Sequence, residues 1–220
     1  MTVSKTGFYT HEDCRKHEMG PGHPECPERL DAIQDRLLVS GVSDALEHLE
    51  APLASLNDIE LAHDRLHVAA LRGLTLRLVE EQAAGGPEHT SLDSDTSINA
   101  HTWTAALRAA GAAMAATDAV LAGELENAFC MVRPPGHHAT RSKAMGFCFF
   151  NNVAVAAKYA LQRHNLQRVA VIDFDVHHGN GTEDILAGDE RALMCSFFQH
   201  PFYPYSGDHD PAANMCNLPV

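Results

Sequence analysis

The segment that most constrains this chain is Val169-Ala-Val-Ile-Asp-Phe-Asp-Val-His-His-Gly-Asn-Gly181. Its first residues are apolar and β-rich, as a strand covered by other layers requires, yet it ends in Asp173, Asp175 and His177. Alternate residues of a strand share a face, so all three side chains converge. An unpaired carboxylate inside such a run is costly, and Asp173 therefore needs a cation or a histidine as partner. A calcium loop also opens with D-x-D, but its sixth position here would be His178 instead of glycine, and a strand precedes it where a helix should stand. In parallel α/β sheets ligands collect at the carboxyl ends of strands. Aspartate with histidine at such a place suits zinc, which accepts both imidazole nitrogen and carboxylate oxygen.

The rest of the chain supplies the context that such a strand needs. Short apolar runs at Gly7–Tyr9, Ala128–Val132, Val169–Val176 and Leu193–Phe198 alternate with helical patterns. These helices are expected at Pro27–Val39, Ser55–His63, Leu66–Ala84, Thr102–Ala122 and Asn152–Arg163. The alternation predicts an α/β fold, three αβα layers around a mostly parallel sheet, with the two middle strands covered on both faces. No repeat or linker divides the 220 residues, so one domain is expected over residues 1–220. The end, NMCNLPV, is an apolar run with no closing helix, and the chain reads as the N-terminal part of a longer catalytic domain.

Charge narrows the partners. A net charge of −13 argues against a nucleic-acid backbone and favours cationic substrates. Six cysteines without a C-x-x-C pair disfavour a zinc knuckle and fit reduced thiols in the cytoplasm. Residues 1–16 carry charges where a signal peptide would be apolar, and the Ala-rich stretch from Trp103 to Gly123 is interrupted by Arg108 and Asp118. A cytoplasmic protein that neither spans nor binds a membrane is expected.

The second chemical signal is Arg133-Pro-Pro-Gly-His-His-Ala139, directly after the run Ala128–Val132. Two prolines and a glycine make a stiff turn that presents His137 and His138 beyond the strand end with little freedom left to lose. Histidine titrates nearest neutrality, which suits proton transfer. Together with HPECPERL, GFCFFNNVAVAA and VIDFDVHHGNGTEDI, this motif closely resembles the histone deacetylase family, including its bacterial members such as acetylpolyamine amidohydrolases. The resemblance runs over essentially the whole chain.

That resemblance implies an arginase/deacetylase fold and zinc-dependent hydrolysis of an N-acetyl amide on lysine or a related amine. The substrate would be an acetylated lysine protein or peptide, or an acetylated polyamine, and self-association into a homo-oligomer is open to such a protein. Asp175 and His177 match two zinc ligands, and His137 and His138 the tandem catalytic histidines. Asp173 matches the carboxylate behind His137, and Asn180 the partner of His138, where Asn in place of Asp resembles the class II branch. A structural potassium site is implied at Asp173, the Ser196 hydroxyl and the backbone of Asp175, His177 and Phe197. Gly146 and Phe147 match one wall of the acyl-lysine tunnel, Tyr203 the opposite wall, and Asp93 the rim carboxylate that holds the substrate backbone. His23 and Arg29 resemble an element beside the channel.

Two family features have no match. The third zinc ligand is an aspartate in a later segment resembling GFDAH, and the carbonyl-polarising tyrosine follows a still later Gly-Gly. Asp208 could be taken for that aspartate, but its Pro/Gly-rich surroundings read as a solvated loop. Two alternatives remain beside the deacetylase: an inactive fragment or acyl-lysine-binding pseudoenzyme, and a two-manganese ureohydrolase of the same fold. The second lacks an aspartate for its second metal, because His178-Gly179-Asn180 follows His177.

Overall fold

The computed structural model describes residues 5–209 and 211–220. Residues 1–4 of the charged N-terminal stretch, and Asp210 of the loop after Asp208, lie outside the described residues. In chain order the elements are β1 (Thr6–Thr10), α1 (Asp13–Lys16), α2 (Glu28–Val39), β2 (Leu46–Glu50), α3 (Leu56–Ile59), α4 (Arg65–Ala83), β3 (His89–Ser91) and β4 (Ser97–Asn99). They continue with α5 (Thr102–Leu121), β5 (Asn127–Cys130), α6 (Asn152–Arg163), β6 (Val169–Asp173), α7 (Asn180–Leu186), β7 (Ala192–Phe198) and β8 (Met215–Pro219).

Two parallel half-sheets carry the fold, one ordered β2-β1-β5 and the other β6-β7-β8, and β3 with β4 forms a separate antiparallel pair. Alternation along the strands sorts side chains between layers. Tyr9 and Ala128 join Ala112 and Ala119 of α5, while Phe8 on the opposite face joins Leu30 of α2, so the first half-sheet is covered on both sides. The main core lies between α4, α5, α6 and α7 and the inner face of the second half-sheet, where Val171, Met194 and Met215 are buried.

The expectation of double covering fails for the second half-sheet. Ile172 is 62% exposed and Phe174 85%, because among the described residues no helix packs on that outer face. The run predicted as Val169–Val176 also stops pairing at Asp173, where the chain turns to present its polar side chains. The apolar end of the chain is β8, which pairs in parallel with β7.

Small residues let α5 lie close against the segment that follows β2. α5 runs AALRAAGAAMAA through its centre, and Gly111 lies where a Cβ would run into the backbone of Pro52 and Ala54. No helix among the described residues is long and apolar enough to cross a membrane.

Candidate active site

The site forms where the ends of β5 and β6 meet. The turn after β5 is fixed at its root by Arg133, which is 1% exposed. Its Nε and Nη2 donate to the Glu25 carboxylate at 2.5 and 2.6 Å, and Nη1 donates to the carbonyls of Cys14 and His17 at 2.9 and 2.8 Å. At the far end of the turn the amides of Gly181 and Thr182, in the first turn of α7, donate to the His137 carbonyl at 2.9 and 3.1 Å. Gly181 is required there, because a Cβ would collide with the Ala139 carbonyl.

The two histidine rings so presented lie 4.0 Å apart between centroids. His137 Nδ1 is 2.9 Å from Asp173 Oδ2, which gives the strand carboxylate the partner its burial demands. Burial opposes ionisation of Asp173, but the hydrogen bond and charge of His137 outweigh it and hold the carboxyl below the usual range. His138 Nδ1 is 2.8 Å from Asn180 Oδ1. An amide oxygen only accepts, so Nδ1 carries the proton and Nε2 keeps its lone pair. Burial first, and then the neighbouring His137, lower the His138 pKa to about 4, leaving the ring neutral near pH 7.

His137 and His138 line a cavity of about 420 Å³ together with Asp175, His177, Gly146, Phe147 and Tyr203, while Asp173 and Asn180 stand behind the two rings. Tyr203 stands against His138 and His177, with ring centroids 4.9 and 6.1 Å away, and burial pushes its hydroxyl up to about 12. Gly146 has φ +56°, and a Cβ on it would press on the His138 ring and the Tyr203 hydroxyl. Phe147 packs edge-on to His23 with centroids 4.7 Å apart. Gly146, Phe147 and Tyr203 thus meet around one cavity.

One predicted residue is displaced. Asp93 does not line the cavity: its Oδ1 accepts from the amides of Asp95 and Thr96 at 3.1 and 2.7 Å, closing a local turn. That turn delivers Asp95 to the wall instead. The sequence offered both aspartates in LDSDT, and which of them faces the cavity depends on the turn. Glu25 was also missed as a lining residue, although a buried Arg133 had to have a carboxylate partner. Asp208 lies apart from the cavity, with its Oδ2 2.9 Å from His209 Nε2.

Asp175 and His177 have the donor chemistry of a zinc site. They sit together on the cavity wall, with His177 Nδ1 3.1 Å from Asp175 Oδ1, and both are about half exposed. The set stops at two, since no group of three metal-binding side chains occurs among the described residues. Asp173 and Ser196 are register partners on β6 and β7. The Ser196 hydroxyl lies 2.9 Å from Nδ1 of the buried His178, whose other nitrogen is 2.5 Å from Glu183. His178 is therefore structural, although it is next in sequence to His177.

The histone deacetylase domain model matches residues 23–220. A probable deacetylase of Archaeoglobus fulgidus is 41% identical over 92% of this chain and 54% of its own length. The histone deacetylase-like amidohydrolase of Pseudomonas aeruginosa is 39% identical over 94% of this chain and 57% of its own. Human polyamine deacetylase HDAC10 is 38% identical over 94% of this chain and 32% of its own. Among solved structures, the HDA15 HD domain superposes with a TM-score of 0.88 at 33% identity, covering 99% of this chain and 62% of that one. The chain thus spans a little over half the length of the Archaeoglobus and Pseudomonas relatives. With that fold and these motifs, the chain belongs to the histone deacetylase family.

Proposed function

We propose that residues 1–220 carry the first part of a domain that hydrolyses the N-acetyl amide of a lysine side chain or a related amine. The observation that carries this reading is the position of His138, neutral and protonated on Nδ1 by its Asn180 contact, on the wall of a cavity it shares with Asp175 and His177. Asp175 and His177 are the residues of this chain that would hold a zinc ion. When bound it polarises the acetyl carbonyl and makes an attacking water more acidic.

The chain's own residues handle substrate and proton. The walls at Gly146, Phe147 and Tyr203 admit an extended acyl-amine and hold its carbonyl near the strand ends. His138 Nε2 takes the proton of the attacking water and returns one to the leaving amine. His137, bonded to Asp173, supports the developing charge beside it. Asp95 is placed to hold the substrate's backbone or a second amine at the rim, and a cationic substrate fits the net charge of −13. A structural potassium ion, if bound, would be held by Asp173, the Ser196 hydroxyl and the backbone oxygens of Asp175, His177 and Phe197, and its charge would steady β6 against β7. Support for this comes from the register pairing of Asp173 with Ser196.

The test compares the protein with His138→Ala, Asp175→Ala and His177→Ala on an acetyl-lysine peptide and an acetylated polyamine, with zinc binding measured by calorimetry. With two protein donors, zinc should bind weakly and turnover should be slow. His138→Ala should bind zinc as the parent does while turnover falls by ~10²-fold or more, as for loss of a positioned acid or base. Asp175→Ala and His177→Ala should lose the metal. Parental turnover in His138→Ala, or parental zinc binding in both other variants, refutes the assignment.

A further inference from the structure

The tandem histidines are held by unlike partners. Asp173 offers His137 two oxygens, and because a carboxylate accepts with either one, His137 Nδ1 carries a proton whichever way Asp173 turns. Asn180 offers His138 one oxygen and one NH2 group, and only the oxygen demands a proton on Nδ1. Turned by half a rotation, the amide would donate to the Nδ1 lone pair, the ring proton would sit on Nε2, and the nitrogen left for the cavity could accept nothing. Something has to select the orientation.

Met145 lies on the other side of that amide. Asn180 Nδ2 donates to its sulfur at 3.6 Å, an ordinary length for so large an acceptor, and this is the only partner of the NH2 group among the described residues. A thioether accepts and has no proton to donate. In the opposite orientation Asn180 Oδ1 would face sulfur lone pairs with nothing between them. Met145 is itself held by backbone: its amide donates to the Cys148 carbonyl at 3.1 Å, and the Cys148 amide donates back at 3.0 Å. The turn between them has Gly146 and Phe147 at φ +56° and +69°, the two left-handed positions of a type I′ turn. The sulfur is therefore placed independently of Asn180.

We infer that Met145 is a positioning residue, whose thioether fixes the Asn180 amide and through it the Nδ1-protonated tautomer that leaves His138 Nε2 free to accept a proton. Its weight in turnover rests on the proton step proposed for His138, whereas the tautomer is a property of the protein alone. Asn180→Asp removes the need for the sulfur, since both oxygens of a carboxylate accept. A packing role for Met145 has no such dependence on the chemistry at position 180.

Nitrogen-15 spectra of histidine-labelled protein provide the test, because protonated and unprotonated ring nitrogens resonate far apart and fast exchange averages them by population. The His138 signals are assigned by their loss in His138→Ala and recorded above about pH 8, where the ring is neutral. Imidazolium is recognised by the near coincidence of its two shifts. In the parent, Nδ1 should be almost wholly of the protonated type. In Met145→Leu, close in volume but without an acceptor, the two shifts should converge as both amide orientations fill, with Nε2 protonated in about half of the molecules. In the Asn180→Asp background the same change should leave the His138 tautomer where it was. On an acetyl-lysine peptide Met145→Leu should lower kcat about twofold or more at constant KM, since only the Nδ1-protonated fraction works. Unmoved His63 signals show that the fold is intact, and Met145→Ile repeats the test with a second apolar shape. The spectra decide the inference and turnover decides the deacetylase reading: a parent with the Nδ1 tautomer and no turnover overturns only the latter. A parent protonated on Nε2, spectra unmoved by Met145→Leu, or an equal shift in the Asn180→Asp background overturns the inference.

Discussion

Arg133→Met should destabilise the fold by about 3–5 kcal/mol, the cost of stripping one partner from a buried ion pair. The size follows from what the substitution leaves behind. The Glu25 carboxylate is 3% exposed and would lose both short bonds to the guanidinium, while the carbonyls of Cys14 and His17 would lose their donor. Arg29 Nη1, 3.3 Å from Glu25 Oε1, compensates only in part because its side chain is half exposed. Against a domain stability of about 5–15 kcal/mol, that is between roughly a fifth and the whole of the margin. At ~2–4 °C per kcal/mol the melting temperature should drop by about 6–20 °C. Urea unfolding at pH 7 is the assay, with the slope checked for constancy. Glu25→Met with Arg133→Met should cost clearly less than the two single changes added, because the double variant buries no orphaned charge. A loss below about 1 kcal/mol in Arg133→Met at unchanged slope, or strict additivity in the cycle, refutes the reasoning.

Acid should weaken the protein through His63, whose Nδ1 faces the Thr140 carbonyl at 2.9 Å and whose Nε2 accepts from the Asn151 amide at 2.8 Å. Burial first, and then the neighbouring His67, lower its pKa to about 4. Above the unfolded value of ~6.5 both states are neutral, so stability is intact there; it is lost as pH falls from ~6.5 toward the folded value, by roughly 2 kcal/mol at pH 5. His63→Gln should remove that part of the slope between pH 7 and 5, and equal slopes in parent and variant would contradict the assignment. Gly111→Ala should destabilise by about 1–3 kcal/mol through overpacking against Pro52, although alanine is worth ~1 kcal/mol over glycine in a free helix. A melting temperature equal to or above the parent's would show that the two backbones can separate at no cost.

Legibility in the sequence followed the range of the forces involved. The helices at Glu28–Val39, Arg65–Ala83, Thr102–Leu121 and Asn152–Arg163 lie within a residue or two of their predicted bounds, because periodicity and end signals are local. Leu46–Glu50 escaped notice as a strand because LEHLE lacks the two-residue alternation of a half-buried strand and is held by pairing to β1, a contact distant in sequence. The helix expected at Ser55–His63 shrinks to Leu56–Ile59: its N-cap is present, with the Ser55 hydroxyl accepting from the Asp58 amide, but His63 is turned away to bridge Thr140 and Asn151.

For the site, the sequence by itself determined which chemical groups stand at or just beyond strand ends, since the stiff RPPGHHA turn follows β5 and Asp173, Asp175 and His177 close the apolar run of β6. Tertiary structure decided which of those groups meet. His137 finds Asp173 and His138 finds Asn180 because α7 caps the turn, and Asp95 takes the wall in place of Asp93 because a side chain closes a loop. It also decided that an apolar strand such as β6 is covered on one face only. Burial, unlike spacing, is a property of whatever packs against a residue, and no strand carries that information in its own sequence.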